Sequence, residues 1–135
     1  MDTLAPKDRS KRMSLIRDKD KKPEIRVRRL VHSLGYRYRL HCADLPGNPD
    51  IVLRGRKKAI FVNGCFWHMH ENCTTWRLPK SRVDFWKRKL EGNKERDRMN
   101  QEKLVAIGWD FLVVWECEIM DKEALTSRII EFLEK

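Results

Sequence analysis

The chain has 135 residues, and its 30 Lys and Arg residues outnumber its 20 Asp and Glu residues to give a formal net charge of +10. This length favours one domain with a modest core, and the basic surface favours a polyanionic partner such as a nucleic acid. No apolar run approaches the ~20 residues that span a bilayer, and the first residues contain no apolar signal-peptide core, so we expect neither a membrane protein nor an exported one.

Two regions differ in composition at the start of the chain. Residues 1–21 are polar and charge-rich, and we interpret them as a basic N-terminal arm that orders on a partner, with a short helix near "SLIRDK". Residues 22–135 are expected to form a single domain. An amphipathic helix is predicted to begin at Pro23 and to end at Gly35, because apolar residues follow at i, i+3, i+4 and i+7: Val27, Leu30, Val31 and Leu34.

Three short strands are predicted next. The segment "YRYRL" (36–40) alternates apolar and cationic residues, which is typical of a half-buried strand. The turn-rich "DLPGNPD" separates it from "DIVL" (50–53), and the tight turn "RGRK" leads to "KAIFVN" (58–63). The spacing favours a three-stranded meander.

The second half of the chain is predicted to be mainly helical. A helical region covers residues 81–107, and Gly92 and Asn93 are expected to break it in two. The segment "WDFLVVWE" (109–116) is apolar on both faces, which predicts a strand in the centre of the sheet. A last helix is predicted over residues 121–134. The sequence therefore predicts one α/β domain.

Four residues have the chemistry of metal ligands: Cys65, His70, Cys73 and Cys117. Three thiolates and one imidazole suit a closed, tetrahedral, structural zinc site that would tie a loop to the last strand. The alternative is that the cysteines are buried and free, and pack as small hydrophobic residues. Cys42 has no such partner nearby in sequence and is expected to be free.

Three other residues suit phosphodiester hydrolysis. Asp50 directly precedes an apolar strand and Glu24 lies at a helix start, and such carboxylates could hold Mg²⁺, which neutralises phosphate charge. His68 lies between the candidate zinc ligands at a different spacing, and is therefore available as a general base. The alternatives are that Asp50 caps a turn and that Glu24 interacts with the helix dipole.

Four blocks together resemble the very short patch repair endonucleases, the Vsr family: "RSKRMSLIRDKDKKPE", "DLPGNPDIVLRGRKKAIFVNGCFWHMHENC", "FWKRKLEGNKERD" and "VVWEC". The resemblance covers the chain from about Arg9 to Cys117. It implies a bacterial DNA mismatch endonuclease with a restriction-endonuclease-like α/β core, in which helices flank a central mixed sheet with a structural zinc site. It also implies nicking 5′ of the T in a T:G mismatch left by deamination of 5-methylcytosine.

The resemblance assigns roles to the hydrolytic residues. Asp50 corresponds to a Mg²⁺-binding aspartate, and the backbone carbonyl of Val62 corresponds to a second Mg²⁺ ligand. His68 corresponds to the catalytic histidine and Glu24 to a glutamate that acts with it. Mg²⁺ on Asp50 would then polarise the scissile phosphate while His68, helped by Glu24, deprotonates the attacking water.

The same resemblance assigns the four Cys and His donors to structural zinc, and it assigns Phe66, Trp67 and Trp86 to insertion into DNA beside the mismatch. From the residues alone, packing on a helix face is the favoured explanation for Trp86. One departure from the family pattern is Asn63, which stands where the family often has His. Its family partner lies at Asp97, so an Asn63–Asp97 hydrogen bond is expected in place of a His–Asp one.

The expected partner is double-stranded DNA containing a T:G mismatch, with mismatch-repair proteins as further partners. We expect a monomer in the bacterial cytoplasm, associated with the nucleoid during repair. Two rival functions are a restriction-type or structure-specific nickase of the same fold and a non-catalytic, zinc-stabilised DNA-binding module.

Overall fold

The computed structural model describes residues 22–135, and the predicted arm lies outside the described residues. These residues contain three helices: α1 (Lys22–Ser33), α2 (Val83–Ala106) and α3 (Lys122–Glu134). The same residues contain four strands, three between α1 and α2 and one between α2 and α3: β1 (Arg39–Leu40), β2 (Ile51–Leu53), β3 (Lys58–Asn63) and β4 (Asp110–Trp115). Short 3-10 turns follow β2 and β4, over Arg54–Arg56 and Glu116–Glu118.

The strands form one mixed sheet in the order β1-β2-β3-β4. The first two pairings are antiparallel, as the predicted meander requires. β3 and β4 are parallel, with a register that runs from Lys58 opposite Asp110 to Asn63 opposite Trp115. A parallel pair needs a long crossover connection, and α2 lies within it. This mixed sheet with flanking helices confirms the predicted fold class.

The sheet carries a buried apolar cluster on each face. The larger one joins α1 and α3 to alternate strand residues, among them Ile51, Ile60 and Val114. The smaller one joins Leu104 of α2 to the intervening residues, among them Val52 and Ala59. Helices therefore cover both faces, which places the ends of β3 and β4 in a fixed position relative to all three helices.

The prediction that residues 109–116 form a central strand is wrong. Among the described strands, β4 lies at the edge of the sheet. It is nevertheless apolar on both faces because Val114 packs in the larger cluster while Phe111 packs against the smaller one. Two-sided coverage by helices, and not a central position, explains its composition.

The predicted break at Gly92 and Asn93 is also wrong, because α2 is one continuous helix of 24 residues. A helical glycine costs only about 1 kcal/mol relative to alanine, which a long helix can absorb. Asn93 does not compete with the helix backbone, since its Nδ2 donates to the carbonyl of Trp67 at 3.2 Å.

None of the helices in the described residues is long enough and apolar enough to cross a membrane.

Candidate active site

The four predicted metal donors meet between the loop that follows β3 and the turn that follows β4. His70 Nδ1 lies 3.6 Å from Cys65 Sγ and 3.4 Å from Cys117 Sγ, and Cys73 Sγ lies 3.9 Å from Cys117 Sγ. The four donor atoms all lie within 4.8 Å of one another. Tetrahedral zinc, with bonds of about 2.3 Å to sulfur and 2.0 Å to nitrogen, would separate its ligands by about 3.5–3.8 Å. The donors therefore fit a tetrahedral cation.

The backbone around this cluster is held by neighbouring groups. The Cys65 N–H donates to Glu116 Oε1 at 3.0 Å, and the His70 N–H donates to the Cys65 carbonyl at 3.0 Å. The His70 ring stacks on Trp115 with centroids 4.1 Å apart and planes at 10°. Because Trp115 ends β4 and Glu116 begins the turn that follows it, these contacts fix the loop to the sheet edge.

Protonation of the thiols is uneven in the protein without a cation. Burial, followed by the neighbouring thiols, raises the pKa of Cys117 to about 12. A hydrogen bond with the Thr75 hydroxyl lowers the pKa of Cys73 to about 6. A bound dication favours the thiolate form of every ligand, so metal binding would release protons from this cluster.

His68 lies in the same loop but contacts a different partner. Met69 has φ 48°, in the left-handed region that a non-glycine residue seldom adopts, and it turns the chain between His68 and His70. His68 Nδ1 donates to Asp97 Oδ2 of α2. This hydrogen bond leaves Nε2 as the basic nitrogen of the neutral imidazole. Both side chains line an open cavity of about 540 Å³.

The pairing of Asp97 differs from the expected one. Asn63 was expected to bond to Asp97, but the Asp97 carboxylate accepts from His68 instead. Asn63 lies at the end of β3, buried, and lines the same cavity. A carboxylate forms a stronger hydrogen bond with an imidazole that can become charged than with a neutral amide, which accounts for the preference.

Asp50 and Glu24 lie together beside the ends of β1 and β2. Asp50 Oδ2 accepts the Val62 N–H at 2.7 Å. Burial, reinforced by the nearby charge of Glu24, raises the pKa of Asp50 to about 6. Glu24 is only 3% exposed, and its Oε2 accepts from His41 Nε2 at 2.8 Å and from Arg28 Nη1 at 3.4 Å. Two poorly solvated carboxylates side by side are suited to a divalent cation.

His41 is a residue of the Asp50 site that sequence reasoning missed. Ligand atoms of Glu24, His41 and Asp50 all lie within 4.8 Å of one another. Glu24 was expected to act with His68, but the structure pairs it with His41. The register of β1 and β2 would have revealed His41. These strands pair Leu40 with Ile51, so the next residue, His41, lies opposite Asp50.

The three predicted DNA-inserting rings form one cluster. Ring centroids lie 5.1 Å apart for Phe66 and Trp67, 5.7 Å for Phe66 and Trp86, and 6.0 Å for Trp67 and Trp86. The structure adds Trp76 and Phe85 to this aromatic cluster, at 6.2 Å from Phe66 and 5.3 Å from Trp86. Its rings are half-buried or exposed, so they present apolar faces beside the loop that carries His68.

A solved structure with a similar fold gives the class of the protein. The chain is similar to the catalytic domain of the homing endonuclease I-Bth0305I, with a TM-score of 0.51 and 25% identity, over 83% of this chain and 93% of that one. The chain therefore has the α/β fold of an endonuclease.

Sequence comparison gives the family. The family model described as DNA mismatch endonuclease Vsr matches residues 1–75. The chain is 48% identical over 133 residues to the type II nicking enzyme V.XorIIP of Xanthomonas oryzae pv. oryzae, covering 98% of this chain and 97% of that protein. It is 40% identical over 130 residues to the DNA mismatch endonuclease Vsr of Escherichia coli strain K12, covering 93% and 83%. The chain therefore belongs to the Vsr family of DNA mismatch endonucleases, as predicted.

Proposed function

We propose that this protein is a Mg²⁺-dependent, strand-specific endonuclease that nicks double-stranded DNA 5′ of the T in a T:G mismatch. The proposal rests on the set of functional groups that the loop after β3 brings together. Within residues 65–73 it holds three donors of the Cys and His cluster, the histidine bound to Asp97, and two rings of the aromatic cluster. A candidate general base and aromatic rings that could insert between base pairs therefore lie in the same loop.

His68 is the proposed general base. Its Nδ1–H donates to Asp97, so Nε2 can accept a proton from the attacking water. The Asp97 carboxylate then stabilises the imidazolium that forms, and it fixes the ring orientation. This assignment replaces Glu24 with Asp97 as the residue that assists His68.

Asp50 is the proposed Mg²⁺ ligand, with the backbone carbonyl of Val62 as a second ligand and Glu24 beside them. The Val62 N–H holds one Asp50 oxygen in place at 2.7 Å. The crowding of two poorly solvated carboxylates supports a cation here, because positive charge offsets their repulsion. When bound, Mg²⁺ would neutralise negative charge on the scissile phosphodiester.

Phe66, Trp67 and Trp86 are the proposed wedge. Inserting a side chain between base pairs costs a few kcal/mol per unstacked step, which the contacts with the bent DNA offset. A T:G wobble pair costs less to unstack than a Watson–Crick pair, so ring insertion favours the mismatch. The adjacent Lys89 Nζ lies 5.9 Å from the ring centres of both Trp67 and Trp86, and it adds a cation for the DNA backbone.

Zinc is the proposed ion of the Cys and His cluster. Three thiolates and one imidazole close a tetrahedral site and leave no position for water, so the ion would serve structure. It would hold the base and the wedge in a fixed relation to β4.

One active site per chain and one nick per event fit a monomer, and mismatch-repair proteins are proposed as partners.

A second candidate function is sequence-specific nicking of fully paired DNA. The 48% identity to a type II nicking enzyme favours it. It requires the same nuclease chemistry but no preference for a mismatch. The two candidates therefore differ only in the substrate that is cut.

A nicking assay separates them. End-labelled duplexes with randomised flanks and a central T:G, C:G or T:A pair are incubated with the protein and Mg²⁺, and the nicked products are sequenced. Nicks 5′ of the T, at least tenfold faster in the T:G pool, are expected. Equal nicking of the paired pools at one sequence would establish the second candidate, and no nicking by wild type with intact metal would overturn both.

His68→Ala and Asp50→Asn should each reduce nicking at least ~10²-fold, as loss of a general base or a metal ligand does. His32→Asn is the matched control, since His32 is exposed near the end of α1. Nicking by His68→Ala within tenfold of wild type would refute the proposed base.

A further inference from the structure

His41 is built into the edge of the Asp50 site. Its N–H donates to the Asp50 carbonyl at 3.1 Å, which continues the β1–β2 pairing by one residue. Its φ of 49° is left-handed, a backbone conformation that costs energy for a non-glycine residue. The side chain is 17% exposed and points Nε2 to within 2.8 Å of Glu24 Oε2. The imidazole is thus hydrogen-bonded to the Glu24 carboxylate, lies within 4.8 Å of an Asp50 carboxylate oxygen, and remains partly accessible to solvent.

The arrangement of donors matches the spacing around an octahedral ion. Neighbouring ligands at about 2.1 Å from such an ion lie roughly 3.0 Å apart, and opposite ligands roughly 4.2 Å apart. His41 Nε2 and Glu24 Oε2 lie 2.8 Å apart, and donors from Glu24, His41 and Asp50 all lie within 4.8 Å. A small movement of side chains would bring all three to ligand spacing.

The charges at this site also call for a cation. Glu24 and Asp50 are both poorly solvated, and the charge of Glu24 raises the pKa of Asp50 further. Arg28 offsets part of this charge from the Glu24 side, at 3.4 Å. A divalent ion placed between the carboxylates would offset the rest.

On the proposed function, in which a divalent cation acts at Asp50, we propose that His41 supplies a nitrogen ligand to that cation. The site would then offer carboxylate, imidazole and carboxylate donors from Glu24, His41 and Asp50. Binding requires a lone pair on Nε2, so the imidazole proton moves from Nε2 to Nδ1. An imidazole donor suits Mn²⁺ and later transition metals better than Mg²⁺, which prefers oxygen. The protein should therefore bind Mn²⁺ more tightly than Mg²⁺.

Pulsed electron paramagnetic resonance on bound Mn²⁺ tests this without any nicking. The Cys and His cluster is kept loaded with zinc, so that Mn²⁺ reports only on the second site. Wild type, His41→Asn and His32→Asn are compared. Asparagine tolerates the left-handed backbone of position 41, and His32 gives the same substitution at an exposed histidine outside the cluster.

We expect a histidine nitrogen hyperfine coupling in wild type and in His32→Asn, and its loss in His41→Asn. The affinity for Mn²⁺ should fall at least roughly tenfold in His41→Asn, and the affinity for Mg²⁺ should fall less. Should His41→Asn fail to fold by circular dichroism and zinc content, His41→Gln serves as the second variant.

Bound Mn²⁺ without nitrogen coupling in wild type would overturn the inference, and so would coupling that persists in a folded position-41 variant. Asp50→Asn identifies the site, because it should abolish Mn²⁺ binding altogether. Failure of wild type to bind Mn²⁺ would instead count against the cation of the proposed function, and the inference would fall with it.

Discussion

Asp50 carries a negative charge where water solvates it poorly, so its ionisation opposes folding. Its pKa is raised from 3.8 to about 6. Below pH 4 the carboxyl is protonated in both the folded and the unfolded chain. As the pH rises through 4 to 6 the unfolded chain ionises first, so the free energy of unfolding falls, by at most about 3 kcal/mol.

Asp50→Asn should therefore stabilise the protein above pH 6 while abolishing nicking. The amide oxygen can still accept the Val62 N–H, and the uncompensated charge is gone. Urea unfolding in Mg²⁺-free buffer at pH 5 and pH 8 measures the effect. The gain over wild type should be larger at pH 8, and a variant less stable than wild type at both pH values would contradict it.

Trp67 tests the wedge. Trp67→Ala should lose mismatch binding by roughly 1–3 kcal/mol together with nicking, because it removes a ring that we propose stacks on bases. Folding should be unharmed, since the backbone carbonyl that Asn93 contacts is retained. Fluorescence anisotropy on T:G and paired duplexes measures the discrimination. Phe85→Ala is the control, because Phe85 is exposed at the rim of the aromatic cluster; unchanged discrimination by Trp67→Ala would refute the wedge.

At the scale of the elements, the continuity of α2 makes a prediction about Gly92. A Cβ added there meets no atom within 4 Å, so Gly92→Ala should stabilise the protein by roughly 0.5–1 kcal/mol. Gly108→Ala is the matched control. A Cβ there also meets nothing within 4 Å, but the φ of +87° should make the substitution destabilising. Thermal melts of both variants measure the effect, and a destabilised Gly92→Ala would show that the helix bends there.

The Cys and His cluster joins the loop after β3 to the turn after β4. Cys117→Ser should reduce bound zinc and lower the melting temperature, because metal binding contributes folding free energy. Cys42→Ser is the control, since Cys42 lies outside the cluster and packs against the smaller core cluster. Elemental analysis and thermal melts measure both effects. Full zinc content in Cys117→Ser, or no zinc in carefully purified wild type, would contradict the assignment.

The elements that were predictable from sequence are those with local causes. The α1 helix follows from apolar spacing, and α3 follows from its stripe and from Asp121, whose side chain caps it by accepting the Ala124 N–H. The position of β4 and the partner of Asp97 depend on residues far apart in sequence, so periodicity could not supply them. His41 is an intermediate case, because only the register of β1 and β2 reveals it.

At the scale of the whole molecule, the net charge of +10 makes DNA binding salt-dependent. Seven of the cations lie in residues 1–21: Lys7, Arg9, Lys11, Arg12, Arg17, Lys19 and Lys21. Deleting the arm should weaken DNA binding. It should also reduce the magnitude of the slope of log affinity against log salt concentration by at most roughly 6. A neutral arm of equal length is the control and should behave like the deletion. An unchanged slope would show that the arm does not contact DNA.

The parallel pairing of β3 with β4 also determines when the loop after β3 can reach its folded conformation. Three donors of the Cys and His cluster come from residues 65–73 and the fourth from Cys117, so they meet only after α2 has folded back and the strands have paired. Contacts so distant in sequence form late, because the chain between them must first be ordered. In a chain whose sheet is incomplete, the loop that carries His68 and the rings Phe66 and Trp67 would lack its attachment to β4. On the proposed function, incompletely folded copies would bind DNA through their charge without cutting it.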